Sequence, residues 1–175
     1  QRGPRRKLMD HALNNARDAL QRRLAESSSQ RRLLDELAEL AAMDGQLNRV
    51  EVYDNSHIQG AQAIGAMIVA GPEGFMKNAY RKFNIKSAGK AVGEHGGDDY
   101  AMMREMLTRR FTRALKEDPD REQGHWPELV IVDGGKGQMS IVEEVFSELG
   151  ILGEVALMGV AKGPERNAGR ERIHL

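Results

Sequence analysis

Two aspartates in this chain stand where an apolar run gives way to a polar turn. Asp54 follows Val50-Glu51-Val52-Tyr53, and Asp133 follows Leu129-Val130-Ile131-Val132. Each run has the length and β-branched content of a strand. If the two strands are neighbours, both carboxylates converge at one edge of a sheet and offer hard oxygen ligands to a Mg²⁺-type ion. Metal–oxygen geometry then sets their separation at roughly 4–6 Å. Taken singly, each aspartate would serve as a strand cap or turn residue. The repeated setting is what points to metal-assisted hydrolysis.

The surrounding charge favours an anionic partner. Net charge is zero, but it is segregated: residues 1–32 hold nine Lys/Arg against three Asp/Glu, and residues 76–116 hold ten against four. Residues 117–154 reverse the balance, with ten acidic residues against two basic ones. Such a chain can present one face to a polyanion and another to a cation. There is no cysteine, which excludes disulfides, thiolate zinc sites and cysteine nucleophiles. No apolar run reaches the length of a membrane span, and the N-terminal residues do not pattern as a signal peptide. The expectation is a soluble, cytoplasmic protein with no membrane partner.

The pattern divides near residue 46. Residues 1–45 read as a helical lead-in: one helix from about Arg5 to Ala25, with Leu8, Ala12, Ala16, Ala19, Leu20 and Leu24 on a stripe, then an interruption at Ser27-Ser28-Ser29. Ser29 is the expected N-cap of a second helix carrying Leu33, Leu34, Leu37, Leu40 and Ala41, closed by Asp44-Gly45. Residues 46–175 change period. Strands are expected from Val50, over Ala63–Ala70, over Phe75–Ile85, over Glu128–Val132 and over Glu154–Ala161, with turns at Gln59-Gly60 and Gly71–Gly74. Lys86–Gly97 reads as a loop. A helix starts at Asp98 or Asp99, with Tyr100, Met103, Leu107, Phe111, Ala114 and Leu115 on one face and Arg104, Arg109, Arg113 and Lys116 on the other. Acidic residues there also suit a helix N-terminus for purely structural reasons. A last helix covers about Gln138–Leu149. Three antiparallel strands followed by a β-α-β crossover give a mixed five-stranded sheet with helices, an α/β fold.

Asp133-Gly134-Gly135-Lys136-Gly137-Gln138 invites a phosphate-loop reading, which fails on spacing. That motif needs a glycine five places before the Gly-Lys pair and Ser or Thr after the lysine, where this chain has Val130 and Gly137. What survives is a flexible turn opening a helix, with Lys136 able to meet a phosphate.

In combination the segments are specific. Tyr53-Asp54-Asn55-Ser56-His57, Tyr80-Arg81-Lys82-Phe83-Asn84-Ile85, Gly97-Asp98-Asp99-Tyr100-Ala101-Met102-Met103, Val132–Gln138 and Gly159-Val160-Ala161-Lys162-Gly163 occur in that order. This resembles the C-terminal nuclease region of UvrC, the excinuclease component of bacterial nucleotide excision repair. The likeness extends over nearly the whole chain. It implies an RNase H-like fold and the 5′ incision of damaged double-stranded DNA, in concert with a UvrB–DNA complex. Carried onto matching positions, it assigns Asp54, Asp99 and Asp133 to catalysis. Asp54 and Asp133 would hold Mg²⁺ or Mn²⁺, and Asp99 would act directly or through a neighbour. Lys136, Arg81, Lys82, Tyr100, Arg109 and Arg113 are the candidates for contacting the DNA backbone.

The chain also departs from that family. The family's metal-site histidine and its helix-hairpin-helix module fall beyond the Val-Ala-Lys-Gly strand, outside this sequence. His57 reads as a structural or supporting residue, and His174 as an incidental surface residue after the last strand. A folded fragment with little cleavage of its own is the resulting expectation. The rival reading is a non-catalytic module using the same fold to bind DNA or a repair partner.

Overall fold

The computed structural model describes residues 4–58, 62–86, 97–161 and 172–175. In chain order the elements are α1 (Pro4–Leu40), β1 (Val50–Ile58), β2 (Gln62–Gly71), β3 (Gly74–Phe75), a 3₁₀ turn (Lys77–Ala79), β4 (Arg81–Asn84), α2 (Gly97–Glu117), β5 (Leu129–Asp133), α3 (Lys136–Glu148), β6 (Ala156–Ala161) and β7 (Arg172–His174). They form one mixed sheet in the order β3-β2-β1-β5-β6-β7, with β4 also paired to β2. β1, β5 and β6 run parallel, and the outer pairings are antiparallel. The α/β, RNase H-like expectation holds. All five expected strands are present, and the sheet reaches seven for two reasons. The run Phe75–Ile85 is broken by the 3₁₀ turn into β3 and β4, and β7 adds a further edge. The Gln59-Gly60 turn and residues 87–96 of the expected loop lie outside the described residues.

Strand alternation sorts the sheet into two faces. Tyr53, Val130 and Val132 point to the face covered by α2 and α3, where Met103, Met106, Leu107, Phe111, Val142 and Phe146 complete the main core. Phe111 sets the spacing of the two helices by meeting Phe146 edge-on, with ring centroids 4.6 Å apart. The expected face of α2 is buried at Met103, Leu107, Phe111 and Ala114, but it is wider, since Met102 and Met106 are buried too. Met106 reaches the sheet at Gly65, where an added Cβ would lie 2.6 Å from its Sδ. Val50, Leu129 and Met158 point to the other face and are covered by Leu34 and Ala38 of α1.

Helix α1 corrects the lead-in. One helix runs from Pro4 to Leu40, without a break at the serines and without an N-cap at Ser29. Ser28 turns its hydroxyl back and donates to the Ala25 carbonyl (2.9 Å), which lets a serine sit inside a helix. Among the described side chains of α1, those buried against the sheet are in the C-terminal turns, whereas Leu13, Leu20 and Leu24 are exposed. The helix closes before Asp44-Gly45. The Met43 N–H bonds to the Ala38 carbonyl and the Ala42 N–H to the Glu39 carbonyl, both at 3.0 Å. These are the two bonds of a Schellman closure, with Ala42 left-handed at φ 51°.

The β1–β5 register is pinned at its start by a carboxylate. Glu128 accepts from the N–H groups of Asn48 (3.1 Å) and Arg49 (2.6 Å), and its own N–H donates to the Arg49 carbonyl. Two substitutions test these devices by denaturant unfolding. Ala42→Gly should raise stability by about 0.5–1 kcal/mol, because only glycine takes the left-handed conformation without steric cost. Glu128→Ala should lower it by about 1–3 kcal/mol, the scale of losing charge-assisted bonds to two backbone donors.

Candidate functional site

Register decides where the two strand-end aspartates stand. β1 and β5 pair in parallel from Val50↔Leu129 to Tyr53↔Val132, and Asp54 and Asp133 are the next residue on each strand. Parallel neighbours lie about 4.8 Å apart. Asp54 shares the parity of Val50 and Val52, and Asp133 that of Leu129 and Ile131, so both project from the α1 face. They sit beyond the part that α1 covers, and both are exposed. The expected juxtaposition of two carboxylates on one face of adjacent strands is therefore present. On the same face, Asp54 pairs with Ala66 on β2, and Ala66 pairs with Lys82 on β4. Lys82 thus stands two strands from Asp54, about 10 Å away.

The remaining motifs approach the same end of the sheet from the other side. Asn55 faces α2, and its Nδ2 donates to the Asp99 carbonyl (3.1 Å), tying the first turn of α2 to β1. Asp99 is half-buried there. Tyr100 packs on the first turn of α3, where a Cβ at Gly137 would overlap its hydroxyl. Helix α3 starts at Lys136, exposed, behind Gly135, which supplies no side-chain cap.

Not every sequence candidate belongs to this edge. Arg81 and Lys82 project from opposite faces of β4. Arg81, Arg109 and Arg113 line a cavity beside the C-terminal half of α2. Arg109 donates to the Asn84 carbonyl (2.9 Å) and pairs with Glu105, and Arg113 pairs with Glu117. Arg104, from the same basic helix face, instead bridges to Glu144 and Glu148 of α3.

His174 is a correction. It lies within β7, paired with Gly159, and its Nε2 is 3.9 Å from where a Cβ of Gly135 would stand. It belongs beside the glycine turn rather than on an incidental surface. The side chains of His57 and Asp98 and residues Lys162 and Gly163 fall outside the described residues. Among the described residues no group of three or more His, Cys, Asp or Glu is arranged to hold a metal ion. The candidate donor set is the Asp54–Asp133 pair. Its chemistry suits Mg²⁺ or Mn²⁺, which are commonly held by one or two carboxylates with water and substrate phosphate completing the shell.

Two features had no role assigned from sequence. Glu51 is fully buried, accepts from the Tyr53 hydroxyl (2.5 Å), and pairs with Arg49 (2.8 Å) and Arg110 (2.7 Å). Burial, reinforced by the Glu51 charge, holds the Tyr53 hydroxyl well above its ordinary pKa. Burial opposes the charge of Arg110, but Glu51 and Tyr53 together outweigh it and the pKa is raised. A glutamate amid apolar strand residues was the available signal, since a buried carboxylate requires cationic partners. Asn55 is the second feature. Its Oδ1 is buried with no hydrogen-bond partner among the described residues.

The family model for the UvrC RNase H endonuclease domain matches residues 38–175, well over half of the chain. The chain belongs to the UvrC RNase H endonuclease domain family. UvrABC system protein C of Rhodospirillum rubrum is 63% identical over 172 residues, covering 98% of this chain and 26% of that protein. Its counterpart in Paramagnetospirillum magneticum is 60% identical over 174 residues, covering 99% of this chain and 27% of that protein. The chain thus spans about a quarter of the length of these UvrC relatives. Among solved structures, human ENDOV aligns at a TM-score of 0.46 and 19% identity, over 78% of this chain and 59% of that one. No helix among the described residues is long and apolar enough to cross a membrane.

The Asn55 clamp in this UvrC domain makes a separable prediction. Asn55→Leu removes one neutral hydrogen bond and one orphaned acceptor, so stability should change by less than about 1 kcal/mol. Amide exchange through the first two turns of α2 should nevertheless speed up at least tenfold, measured by hydrogen-exchange mass spectrometry.

Proposed function

We propose that this domain is the metal-dependent DNA endonuclease that makes the 5′ incision in bacterial nucleotide excision repair. One observation carries the reading: Asp54 and Asp133 end adjacent parallel strands on one open face. Membership of the UvrC endonuclease family supports it. In this reading Asp54 and Asp133 hold the divalent ion, and Asp99 acts beside them from the start of α2. The bound ion would polarise the scissile phosphate and favour hydroxide as nucleophile.

The chain's own groups would do the rest. Lys82, on the carboxylate face, and Lys136, at the uncapped start of α3, would neutralise backbone phosphates on either side of the cut. Tyr100, fixed against Gly137, would border the strand. None of these groups reads a base edge, as suits a repair nuclease whose cut is placed by a lesion. The substrate is damaged duplex DNA delivered with UvrB, and the setting is cytoplasmic. The rival reading is a binding module without catalysis. Its support is the lack of a three-ligand group among the described residues.

The test uses the full-length protein with its UvrABC partners on a duplex carrying one lesion, titrated with Mg²⁺ and with Mn²⁺. Asp54→Asn and Asp133→Asn should each lower 5′ cutting at least a hundredfold, a loss of about 2.7 kcal/mol in barrier stabilisation or more. The 3′ cut should survive. Undiminished 5′ cutting in both variants would establish the binding-module reading instead.

A further inference from the structure

Five arginines surround one cavity on the opposite face of the sheet from the Asp54–Asp133 pair. Arg49, Arg81, Arg109, Arg110 and Arg113 line a space of about 210 Å³, closed on its apolar side by Phe83 and its neighbours. The wall is preorganised. Arg49 and Arg110 are 13% and 10% exposed, and both rest on Glu51, whose second oxygen takes the Tyr53 hydroxyl. Arg110 also donates to the His125 carbonyl. Arg109 stacks over Phe83, 5.7 Å from the ring centroid.

The charges do not balance. Among the described residues, the ion-pair partners of these five guanidiniums are Glu51, Glu105 and Glu117, which leaves two positive charges over. Arg81 is the source of one, since its hydrogen bonds go to the main-chain carbonyls of Asn78 (3.0 Å) and Tyr80 (2.7 Å). The Arg113–Glu117 and Arg109–Glu105 pairs are partly exposed, so they yield readily to a stronger acceptor. Arginine forks match the oxygens of a phosphate in pairs. A phosphate group near two negative charges would neutralise the excess.

The cavity is also separate from the cleavage edge. The sheet itself divides them, since the cavity opens on the α2 face whereas Asp54 projects from the other, and Arg49 at the far end of the cavity lies about 16 Å along the chain from Asp54. We propose that this arginine cavity is a metal-independent phosphate-binding site, distinct from the candidate nuclease centre. The phosphate can come from a DNA backbone or from a free phosphate or phosphorylated small molecule. Only the DNA source rests on the nuclease reading.

The experiment is calorimetric titration of the chain with inorganic phosphate in EDTA, at constant ionic strength. Wild type should bind saturably, and Arg81→Glu with Arg113→Glu should weaken binding at least tenfold. Both sites are on the surface, and the milder Arg81→Ala with Arg113→Ala should weaken it in the same direction if the reversal misfolds. Arg104→Glu, outside the cavity, should leave binding unchanged. In a second arm, anisotropy of a labelled oligonucleotide is followed against salt, again in EDTA. A fall of about two in the log–log salt slope for the Arg81/Arg113 double alanine variant identifies the DNA backbone as the source. An unchanged slope with lost phosphate binding identifies the free or small-molecule phosphate. The proposal is overturned by any of three results: no saturable phosphate binding, equal loss in Arg104→Glu, or tighter binding of succinate than of phosphate. Because no metal is present, these outcomes are independent of whether the domain cuts DNA.

Discussion

The parallel register between β1 and β5 is the constraint on which the site depends. A strand shows alternate residues to opposite faces, so a slip of one residue would send Asp54 into the helix-covered core and leave Tyr53 in solvent. Several independent contacts oppose that slip. Tyr53 is buried with its hydroxyl on Glu51, and Glu51 is itself held by two guanidiniums. At the start of the pair, Glu128 grips two successive N–H groups of the incoming chain. The buried charges are thus arranged around the strand whose position matters most. Buried pairs of this kind add little net stability, because desolvation offsets much of the attraction.

The elements that carry the candidate site residues follow from that register in a short chain of contacts. β1 sets Asn55 toward α2, Asn55 holds the Asp99 carbonyl, and the next residue, Tyr100, lies on the glycine that opens α3. Three segments far apart in sequence are therefore linked through one side-chain amide and one ring. The glycine-rich turn after Asp133 makes structural sense in these terms. It lets the first turn of α3 come within reach of Tyr100, where any β-carbon would intrude.

Strands, helices and the paired aspartates were legible in the sequence because each rests on a local pattern. The Asp54 and Asp133 runs needed only apolar residues ending in a carboxylate, whereas their adjacency was an expectation that the parallel β1–β5 register met. The misreadings are where distant contacts overrule local signals. Three serines look like a break between helices until Ser28 bonds back to Ala25. Phe75–Ile85 looks like one strand until the 3₁₀ turn is needed to cross from one part of β2 to another. The basic residues of 76–116 formed one group in sequence, yet alternation on β4 sends Arg81 and Lys82 to opposite faces, and Arg104 is spent on α3. Asn55 and Glu51 carried no local signal of their distant partners, Asp99 and Arg110, which lie 44 and 59 residues away.

The outline of the sheet has a consequence for solubility. Its longest strand, β2, is the one most able to recruit a foreign chain, and its outer side is shielded. The outer side of β2 is taken up by β4 over Ile64–Met67 and by β3 at Ala70 and Gly71, while the Met76 N–H fills the gap at the Val69 carbonyl. Among the described residues the terminal strands are short: two residues in β3, four in β4 carrying Arg81 and Lys82, and three in β7 beginning with Arg172. Short, cationic margins make poor templates for intermolecular strand addition. Along β2 and at these terminal strands, a second copy of the domain therefore finds little to zip onto.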